Sequence, residues 1–190
     1  MAVYPAGVTS SPYPEWTYYP TNRRPDPWVL SLLEVVAGVR ADIDTAKVRD
    51  SLTSDTVLGH LRPGLVALGY EVEASKSRAD RIRRPVLFGP RGAERVAYEV
   101  DAVHDELGIV VEIEAGRGAQ SNAVHRDLIR ASLIVDARFF ALGVMGHYRF
   151  HSGTRSVETA SYEDARAQLD AIYASGRLQL PFEGVLLFGY

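Results

Sequence analysis

The alternation of apolar and polar residues predicts a β-hairpin near the middle of the chain. Residues 96–104 alternate and are rich in β-branched and aromatic side chains, which is typical of a strand. Residues 105–108 have the composition of a turn, and residues 109–115 form a second, more apolar strand. A four-residue turn pairs His104 with Ile109. The sequence therefore predicts an antiparallel hairpin whose register decides which side chains share a face.

This hairpin concentrates acidic side chains on one face of the sheet. In the predicted register Asp101 lies opposite Glu112 and Glu99 lies opposite Glu114, and residues two apart in a strand share a face. Like charges that face each other destabilise a sheet by up to about 1 kcal/mol per pair. A hard divalent cation with oxygen ligands would turn this repulsion into a binding site. The alternative is an edge hairpin with separately hydrated acids, although the apolar run 109–111 favours a strand inside the sheet.

Helical periodicity and turn residues divide the chain on both sides of the hairpin. Pro27 is well placed as the first residue of a helix, because its missing N–H has no partner there in any case. The elements predicted before the hairpin are a helix from Pro27 to residue 36, a helix over residues 45–52, a helix from a cap at Ser54 or Asp55 to residue 68 that Pro63 kinks or divides, and strands over residues 70–74 and 84–88. The elements predicted after it are a helix capped by Ser121 or Asn122 with Val124, Leu128, Ala131 and Val135 buried, a strand over residues 138–144, a loop or irregular strand over residues 146–160, a helix over residues 162–175 and a strand over residues 185–188.

Residues 1–27 differ from the rest of the chain in being rich in Pro, Tyr and Ser. Their prolines remove hydrogen-bond donors and restrict the preceding residues, which excludes a regular helix over the Pro-rich stretch. We expect an extended arm that packs on its own domain rather than on a partner. Residues 28–190 are predicted to form a single domain, since a chain of this length can bury one substantial core.

The overall composition is that of an ordinary globular protein, with 46% hydrophobic and 24% charged residues. The absence of cysteine excludes disulfides, zinc–thiolate sites and cysteine nucleophiles. No apolar run reaches membrane-spanning length and the first residues lack the apolar stretch of a signal peptide, so a cytoplasmic location is expected. The net charge of −3 argues against a protein that coats nucleic acid indiscriminately.

Basic residues are concentrated in one part of the chain. Seven of the 21 Lys and Arg residues lie within residues 76–95. Arginine can bind phosphate oxygens with two parallel hydrogen bonds, so this window is a candidate phosphate-contacting surface. A solvated loop is the alternative. The members of the window are Lys76, Arg78, Arg81, Arg83, Arg84, Arg91 and Arg95.

The predicted order of elements, together with the acids, resembles a known family. Residues 55–144 run helix, strand, strand, strand, helix, strand, with the acids on the second and third strands. This order resembles the αβββαβ core of the PD-(D/E)XK nuclease superfamily. The resemblance implies an α/β fold with a restriction-endonuclease-like core, in which a mixed central sheet is flanked by helices. The Asp and the acid-x-Lys pair of that family match Asp101, Glu112 and Glu114.

Glu114 stands where the superfamily commonly has lysine, a departure shared with the branch represented by the BamHI and BglII restriction endonucleases. That branch tends to follow the acid pair with a polar loop and an Arg-Asp-Leu near the start of the next helix. Residues 116–122 and then Arg126, Asp127 and Leu128 are similar. The resemblance covers about half of the chain.

The resemblance implies a Mg²⁺-dependent nuclease, with Mn²⁺ as a possible substitute, that hydrolyses phosphodiester bonds. DNA is the expected partner, and RNA is the alternative. The enzyme would be an endonuclease of restriction or repair type, and the chain could act as a homodimer. Asp101 and Glu112 would bind the metal together with the backbone carbonyl of Ile113. Glu114 would hold or deprotonate the attacking water, or help to bind a second metal.

Arginines beside these acids are the candidate phosphate contacts. Arg117 and Arg126 lie closest in sequence, and Arg126 has a structural alternative in pairing with Asp127, Glu112 or Glu114. Further candidates for DNA contacts are Lys76, Arg83 and Arg84, and further candidates near the site are Glu34 as an outer acid, Glu99 and His125.

Other functional classes leave weaker traces in the sequence. His147 and His151 have a zinc-ligand spacing for a helix, but their neighbours predict a strand, where an offset of four spans about 13 Å. A nuclease-fold binding protein without catalysis is one alternative to the enzyme. A carboxylate-pair hydrolase such as a glycosidase is another, although only Tyr98 supplies an aromatic side chain near the acids.

Overall fold

A computed structural model describes residues 13–48, 52–75, 77–116, 122–152 and 155–190, so Lys76, Arg117 and Ser121 lie outside the described residues. The helices are α1 (Pro27–Gly38), α2 (Arg40–Ile43), α3 (Ser54–Ala67), α4 (Ala123–Ser132) and α5 (Ser161–Ser175). The strands are β1 (Glu15–Tyr19), β2 (Glu71–Val72), β3 (Ile82–Phe88), β4 (Glu94–Val100), β5 (Ala102–His104), β6 (Ile109–Glu114), β7 (Phe139–Val144), β8 (Tyr148–Ser152), β9 (Arg155–Thr159) and β10 (Gly184–Gly189). None of the helices in these ranges is long and apolar enough to cross a membrane.

Six strands form a mixed central sheet in the order β1-β10-β7-β6-β5-β2. The three middle strands β10, β7 and β6 are parallel, whereas β1, β5 and β2 pair antiparallel to their neighbours. All residues of β7 and β10 are buried, as expected for strands covered on both faces. The α/β fold with a mixed central sheet flanked by helices is therefore confirmed.

Helices cover both faces of this sheet and create two hydrophobic cores. On one face, α1 and α3 pack against the sheet, and Leu32, Leu61 and Ile113 belong to one cluster of buried side chains. On the other face, α4 and α5 pack through Leu128 and Leu169. Successive residues of β6 therefore alternate between the two cores, which fixes the face on which each of its acids lies.

The described part of the N-terminal segment is extended and packs on the sheet. β1 pairs antiparallel with β10, and Tyr18 and Tyr19 are buried. The Tyr18 hydroxyl donates a hydrogen bond to Asp26 at 2.9 Å, and the Tyr19 hydroxyl donates one to Asp170 at 2.7 Å. Through these contacts the described part of the segment lies against the central sheet and α5.

Several element boundaries differ from those predicted. The helix predicted over residues 45–52 is wrong, because residues 45–47 form a turn after the short helix α2. Thr45 is buried in this turn. Its hydroxyl donates a hydrogen bond to the Tyr190 carbonyl and accepts one from the His147 amide at 3.0 Å. Pro63 lies inside α3 and neither divides nor ends that helix. Val135, which was predicted on the buried face of α4, is 58% exposed because α4 ends at Ser132.

The strand predicted over residues 96–104 is broken at Asp101. Its first half, β4, pairs with β3 in a separate two-stranded sheet, and only its second half, β5, remains in the central sheet. The prediction that Glu99 lies opposite Glu114 is therefore wrong. Glu99 instead pairs with Arg83 across the β3–β4 hairpin. Residues 148–159, predicted as loop or irregular strand, form a second small hairpin from β8 and β9.

Candidate active site

The register of the β5–β6 hairpin brings Asp101 and Glu112 together. Ala102 pairs with Val111 and His104 with Ile109, as predicted, and the same register places Asp101 across from Glu112. Both side chains line one cavity of about 310 Å³, here named the acidic cavity. Its lining residues are Glu73, Arg81, Glu99, Val100, Asp101, Glu112 and Arg130.

Asp101 occupies the point where the chain leaves the central sheet. β4 turns away from β6 at this point. The Asp101 carboxylate accepts the hydrogen bond of the Ile113 amide at 2.7 Å, in the place that a carbonyl of a continuing strand would take. The Asp101 carbonyl accepts a hydrogen bond from the Glu73 amide at 2.8 Å. The N–H and C=O of one strand residue point to the same edge, so the Ile113 carbonyl also faces the side from which Asp101 approaches.

Glu112 is the least compensated acid of the group. Among the described residues, its carboxylate forms no hydrogen bond and no ion pair. Burial raises its pKa well above the ordinary value, and the charges of Asp101 and Asp127 raise it further, while Arg130 opposes the shift. A buried carboxylate without a partner favours its neutral form or a bound cation.

The pKa of Asp101 is raised in the same direction. Burial raises it to about 6, and the neighbouring Glu73 and Asp127 add to the effect. The hydrogen bond from the Ile113 amide works against this shift because it stabilises the charged form. Asp101 therefore keeps its proton to a higher pH than an unperturbed aspartate does.

Glu114 belongs to a second group of charges behind the acidic cavity. Arg126 forms an ion pair with Glu114 and another with Asp127 at 2.8 Å, and Asp127 is only 2% exposed. Burial and Asp127 raise the pKa of Glu114 to about 8. The Tyr190 hydroxyl donates a hydrogen bond to the Glu114 carbonyl at 2.8 Å. Arg126 thus points to the acidic residues, as expected. It forms ion pairs with Glu114 and Asp127, as in the structural role that the sequence left open for it.

Two arginines in the acidic cavity were not predicted as site residues. Arg130 lies over the Tyr98 ring at 5.1 Å and has no ion pair within the described ranges. Arg81 pairs with Glu99 at 2.7 Å. Arg130 follows Arg126 by four residues, so its position on the same helix face could have identified it from sequence. Glu73 also lines the cavity, and only the pairing of β2 with β5 brings it there.

Arg83 and Arg84, which were proposed individually as DNA contacts, do not line the acidic cavity, whereas Arg81 of the same basic window does. Arg83 pairs with Glu94 at 3.1 Å. Arg84 contacts Glu71 at 2.8 Å and Asp105 at 3.0 Å. Their role as DNA contacts stays a prediction, as does that of Lys76 and Arg117 outside the described residues.

Two other candidates do not lie beside the acids. His125 lines a different cavity of about 450 Å³ between α4 and α5 and does not line the acidic cavity. α4 presents Asp127 to the acids, and His125 lies two residues away on another side of the helix. Glu34 is exposed on α1 and does not line the acidic cavity.

The histidines show no zinc arrangement in the described residues. The ring of His104 packs edge-on against Tyr70 with centroids 5.1 Å apart. His147 contacts Glu158 at 2.8 Å, and His151 lies in strand β8, as its neighbours predict. The same ranges contain no group of three or more His, Asp or Glu side chains that could hold a metal ion.

The residues that are present nevertheless fit one hard cation. Asp101 and Glu112 supply two carboxylates, and the Ile113 carbonyl faces the same side. Mg²⁺ commonly takes one or two carboxylates and keeps several waters, so it needs no third acidic side chain. Burial and the charges of neighbouring acids raise the pKa values of both carboxylates, and a bound cation would offset both effects.

Comparisons with known proteins support the fold but identify no relative by sequence. No protein-family model and no curated protein matches this sequence. The structure is similar to the crystal structure of restriction endonuclease BglII complexed with a DNA 16-mer, with a TM-score of 0.54. The two sequences are 14% identical, and the match covers 93% of this chain and 77% of that one. At this identity the similarity shows the fold alone, and the fold is restriction-endonuclease-like.

Proposed function

We propose that this protein is a metal-dependent endonuclease that hydrolyses phosphodiester bonds in DNA. Within the restriction-endonuclease-like fold it would belong to the BamHI- and BglII-like branch with Glu at the usual Lys position. The observation that carries the proposal is the approach of Asp101 and Glu112 across one hairpin, in a cavity that also contains Arg130. Perturbed acids in a cavity, with cations beside them, are typical of catalytic sites.

Asp101, Glu112 and the Ile113 carbonyl would hold Mg²⁺ or Mn²⁺. The bound ion would lower the pKa of a water molecule and stabilise charge on the scissile phosphate. The chain contributes the orientation of these ligands. The hydrogen bond from the Ile113 amide fixes one Asp101 oxygen and leaves the other available.

Glu114 is the candidate for proton transfer. Burial and Asp127 raise the pKa of Glu114 and make its ionised carboxylate a stronger base than that of an ordinary glutamate. Arg126 balances the charges of Glu114 and Asp127 and keeps both side chains in place. Participation of Glu114 in a second metal site stays open.

Arg130 is the best-placed phosphate contact. It lines the acidic cavity, where its charge acts on Glu112, and it forms no ion pair with a carboxylate among the described residues. A phosphate entering the cavity would meet this guanidinium opposite the two acids, and charge-assisted hydrogen bonds to phosphate are strong. Arg81 could contribute in the same way by exchanging Glu99 for a phosphate.

The alternative is a nuclease-fold protein that binds nucleic acid or protein without cleaving. The pairing of Arg126 with Glu114 and Asp127 supports it, because that guanidinium is already engaged. A glycosidase is disfavoured, since no aromatic side chain lines the acidic cavity in the described part of the chain. An enzyme that cleaves both strands of a duplex would act as two copies of this chain, each with one acidic cavity.

The decisive experiment combines metal binding with cleavage. Purified protein should nick or cut supercoiled plasmid DNA with Mg²⁺ or Mn²⁺, and Ca²⁺ should support binding with little turnover. Calorimetry on the same preparation measures Mn²⁺ binding independently of any substrate. Absence of cleavage on varied DNA and RNA, with no detectable Mg²⁺ or Mn²⁺ binding, would show that the enzyme proposal is wrong. Metal binding or nucleic-acid binding without cleavage would support the inactive alternative.

A further inference from the structure

The β3–β4 hairpin stands outside the central sheet. It is anchored at its base, where Ile82 and Val100 are each 3% exposed and pair with each other. The Val135 amide donates a hydrogen bond to the Pro85 carbonyl at 3.4 Å, which ties the middle of the hairpin to the segment after α4. An isolated two-stranded hairpin is marginally stable in water, so this anchoring makes it a supported arm.

The outer part of the hairpin, residues 87–96, exposes apolar side chains and is here named the hairpin tip. Leu87 is 48%, Phe88 50% and Val96 36% exposed. Leu87 lies opposite Val96 in the register, so these side chains are neighbours across the two strands. Phe88 follows Leu87 in β3, where successive side chains point to opposite faces, so the tip exposes apolar side chains on both of its faces. Large apolar side chains grouped at the end of one projecting hairpin mark a contact surface.

The charge of the hairpin tip defines the kind of partner. Arg91 and Arg95 form no ion pair with any described residue, whereas Glu94, the acid of the tip, is paired with Arg83 at 3.1 Å. Arg91 has a left-handed backbone with φ of 60° in the turn, a conformation uncommon for residues other than glycine. The tip therefore combines apolar side chains with two uncompensated cations.

The hairpin tip is directly connected to the acidic cavity. β4 ends at Val100, the residue before Asp101, and both Val100 and Glu99 line the cavity. Seven strand residues span about 20 Å at roughly 3.3 Å per residue. Since bases along one strand of a duplex are about 3.4 Å apart, this length corresponds to about six base pairs.

We propose that the β3–β4 hairpin is an arm that grips duplex DNA beside the cleaved bond. The Leu87 and Phe88 side chains would contact sugars and base edges in a groove, with Arg91 and Arg95 on the flanking phosphates. Apolar side chains inserted beside arginines are a common way of holding DNA in a groove. The contact would lie within about six base pairs of the phosphate at Asp101. This inference rests on the proposed function and adds the surface that holds the substrate.

A second copy of this chain fits the hairpin tip less well. In a two-fold symmetric contact the same surface patch meets itself, so Arg91 and Arg95 would lie near their own copies. With Glu94 already paired to Arg83, the tip offers no free acid to compensate them. DNA provides the negative charge that this tip lacks, together with apolar sugar and base surface for its exposed apolar side chains.

The test measures DNA affinity separately from cleavage. The double variant Leu87→Ser/Phe88→Ser should bind a duplex of about 30 base pairs of randomised sequence on the order of tenfold more weakly than the unchanged protein, because it loses the apolar surface that the contact would bury. The double variant Arg91→Gln/Arg95→Gln should reduce the slope of log affinity against log salt by about 2, or about 1 per lost phosphate contact. Fluorescence anisotropy with Ca²⁺ present gives both values.

Matched controls and a short duplex make the test specific. Leu30→Ser on α1 removes a side chain that is 56% exposed, and Arg24→Gln removes an exposed arginine before the same helix. Both control variants should bind as the unchanged protein does. A duplex of about 8 base pairs centred on the site cannot reach the tip, so the hairpin variants should bind it normally. Thermal denaturation verifies that the variants are folded.

Each outcome has a defined meaning. If the hairpin variants bind and cleave the long duplex like the unchanged protein, or if that protein binds neither duplex, the arm proposal is overturned. If light scattering shows that the variants convert a dimer to a monomer, the tip is an interface between copies and the proposal is also wrong. If the variants lose affinity for the long duplex alone while the unchanged protein fails to cleave with Mg²⁺ or Mn²⁺, the arm is supported and the nuclease activity is not.

Discussion

The two regions on either side of Asp101 handle charge in opposite ways. In the β3–β4 hairpin, Arg81 contacts Glu99 at 2.7 Å and Arg83 contacts Glu94 at 3.1 Å, and these side chains are exposed or half-exposed. At the end of the β5–β6 hairpin, Glu112 has no such partner in the described structure and Asp101 is held by a backbone amide. The change in backbone direction at Asp101 separates the hairpin with exposed ion pairs from the region of unpaired acids.

The difference indicates where the molecule uses its acids. Exposed ion pairs contribute little to stability and can be exchanged with water at small cost. Carboxylates that are withdrawn from water without a counterion cost folding free energy, and proteins keep them mainly where function requires them. The comparison therefore assigns Asp101 and Glu112 to chemistry, and Glu94 and Glu99 to solubility and local order.

The largest expected effect is on cleavage, and it separates Asp101 from Glu99. Asp101→Asn keeps the shape and the ability to accept the Ile113 hydrogen bond but removes a ligand charge. We expect cleavage to fall on the order of 10³-fold, because metal ligation supplies several kcal/mol and each 1.36 kcal/mol is a factor of ten. Glu99→Gln should cleave nearly as the unchanged protein does. Initial rates with saturating Mg²⁺ measure both, and equal losses in the two variants would contradict the comparison.

Glu114→Lys should have the next largest effect. It restores the residue more common in the superfamily and places an ammonium beside Arg126. We expect a loss of about 10²-fold if Glu114 orients or deprotonates water, because positioned acid–base groups contribute roughly that much. Complete loss would instead assign Glu114 to a second metal. The number of Mn²⁺ ions bound by each protein, measured by calorimetry, distinguishes the two roles independently of the rate.

The same comparison predicts different stabilities when an arginine is removed. Arg126→Gln leaves the buried Asp127 without its charged partner, and an unsatisfied buried acceptor costs about 1–3 kcal/mol. The matched control is Arg138→Gln, which removes the partner of the half-exposed Glu183 and should leave stability unchanged. Chemical denaturation of the metal-free variants gives both free energies. A stable Arg126→Gln protein would mean that Asp127 is neutral or solvated.

Sequence patterns predicted the register of the β5–β6 hairpin because its turn is short and its two strands are adjacent in the chain. Alternation could not predict the break at Asp101. The period of two continues through residues 96–104, and nothing local reveals that β4 pairs with β3 instead of β6. The predicted pairing of Glu99 with Glu114 failed for this reason.

Distant contacts explain the other errors. The helix predicted over residues 45–52 conflicts with the bond between the Thr45 hydroxyl and the Tyr190 carbonyl, whose residues are 145 apart in sequence. Glu73 reaches the acidic cavity only because β2 pairs with β5. The element order of the core was predictable because each helix and strand carries its own periodicity, whereas the cavity lining depends on how those elements pack.

The smallest expected effect is the pH dependence of stability in the metal-free protein. The folded-state pKa of Asp101 is about 6 and that of Glu114 about 8, both raised mainly by burial. Between the ordinary and the raised pKa the folded state binds protons that the unfolded state has released, so stability decreases as pH rises. We expect the melting temperature without metal to fall from about pH 5 to about pH 8 as the two groups lose their protons. Asp101→Asn should flatten the lower part of this curve, whereas Glu99→Gln should leave it unchanged. Calorimetric melting in chelator at a series of pH values tests this, and a stability that rises over the range would show that the acids are compensated.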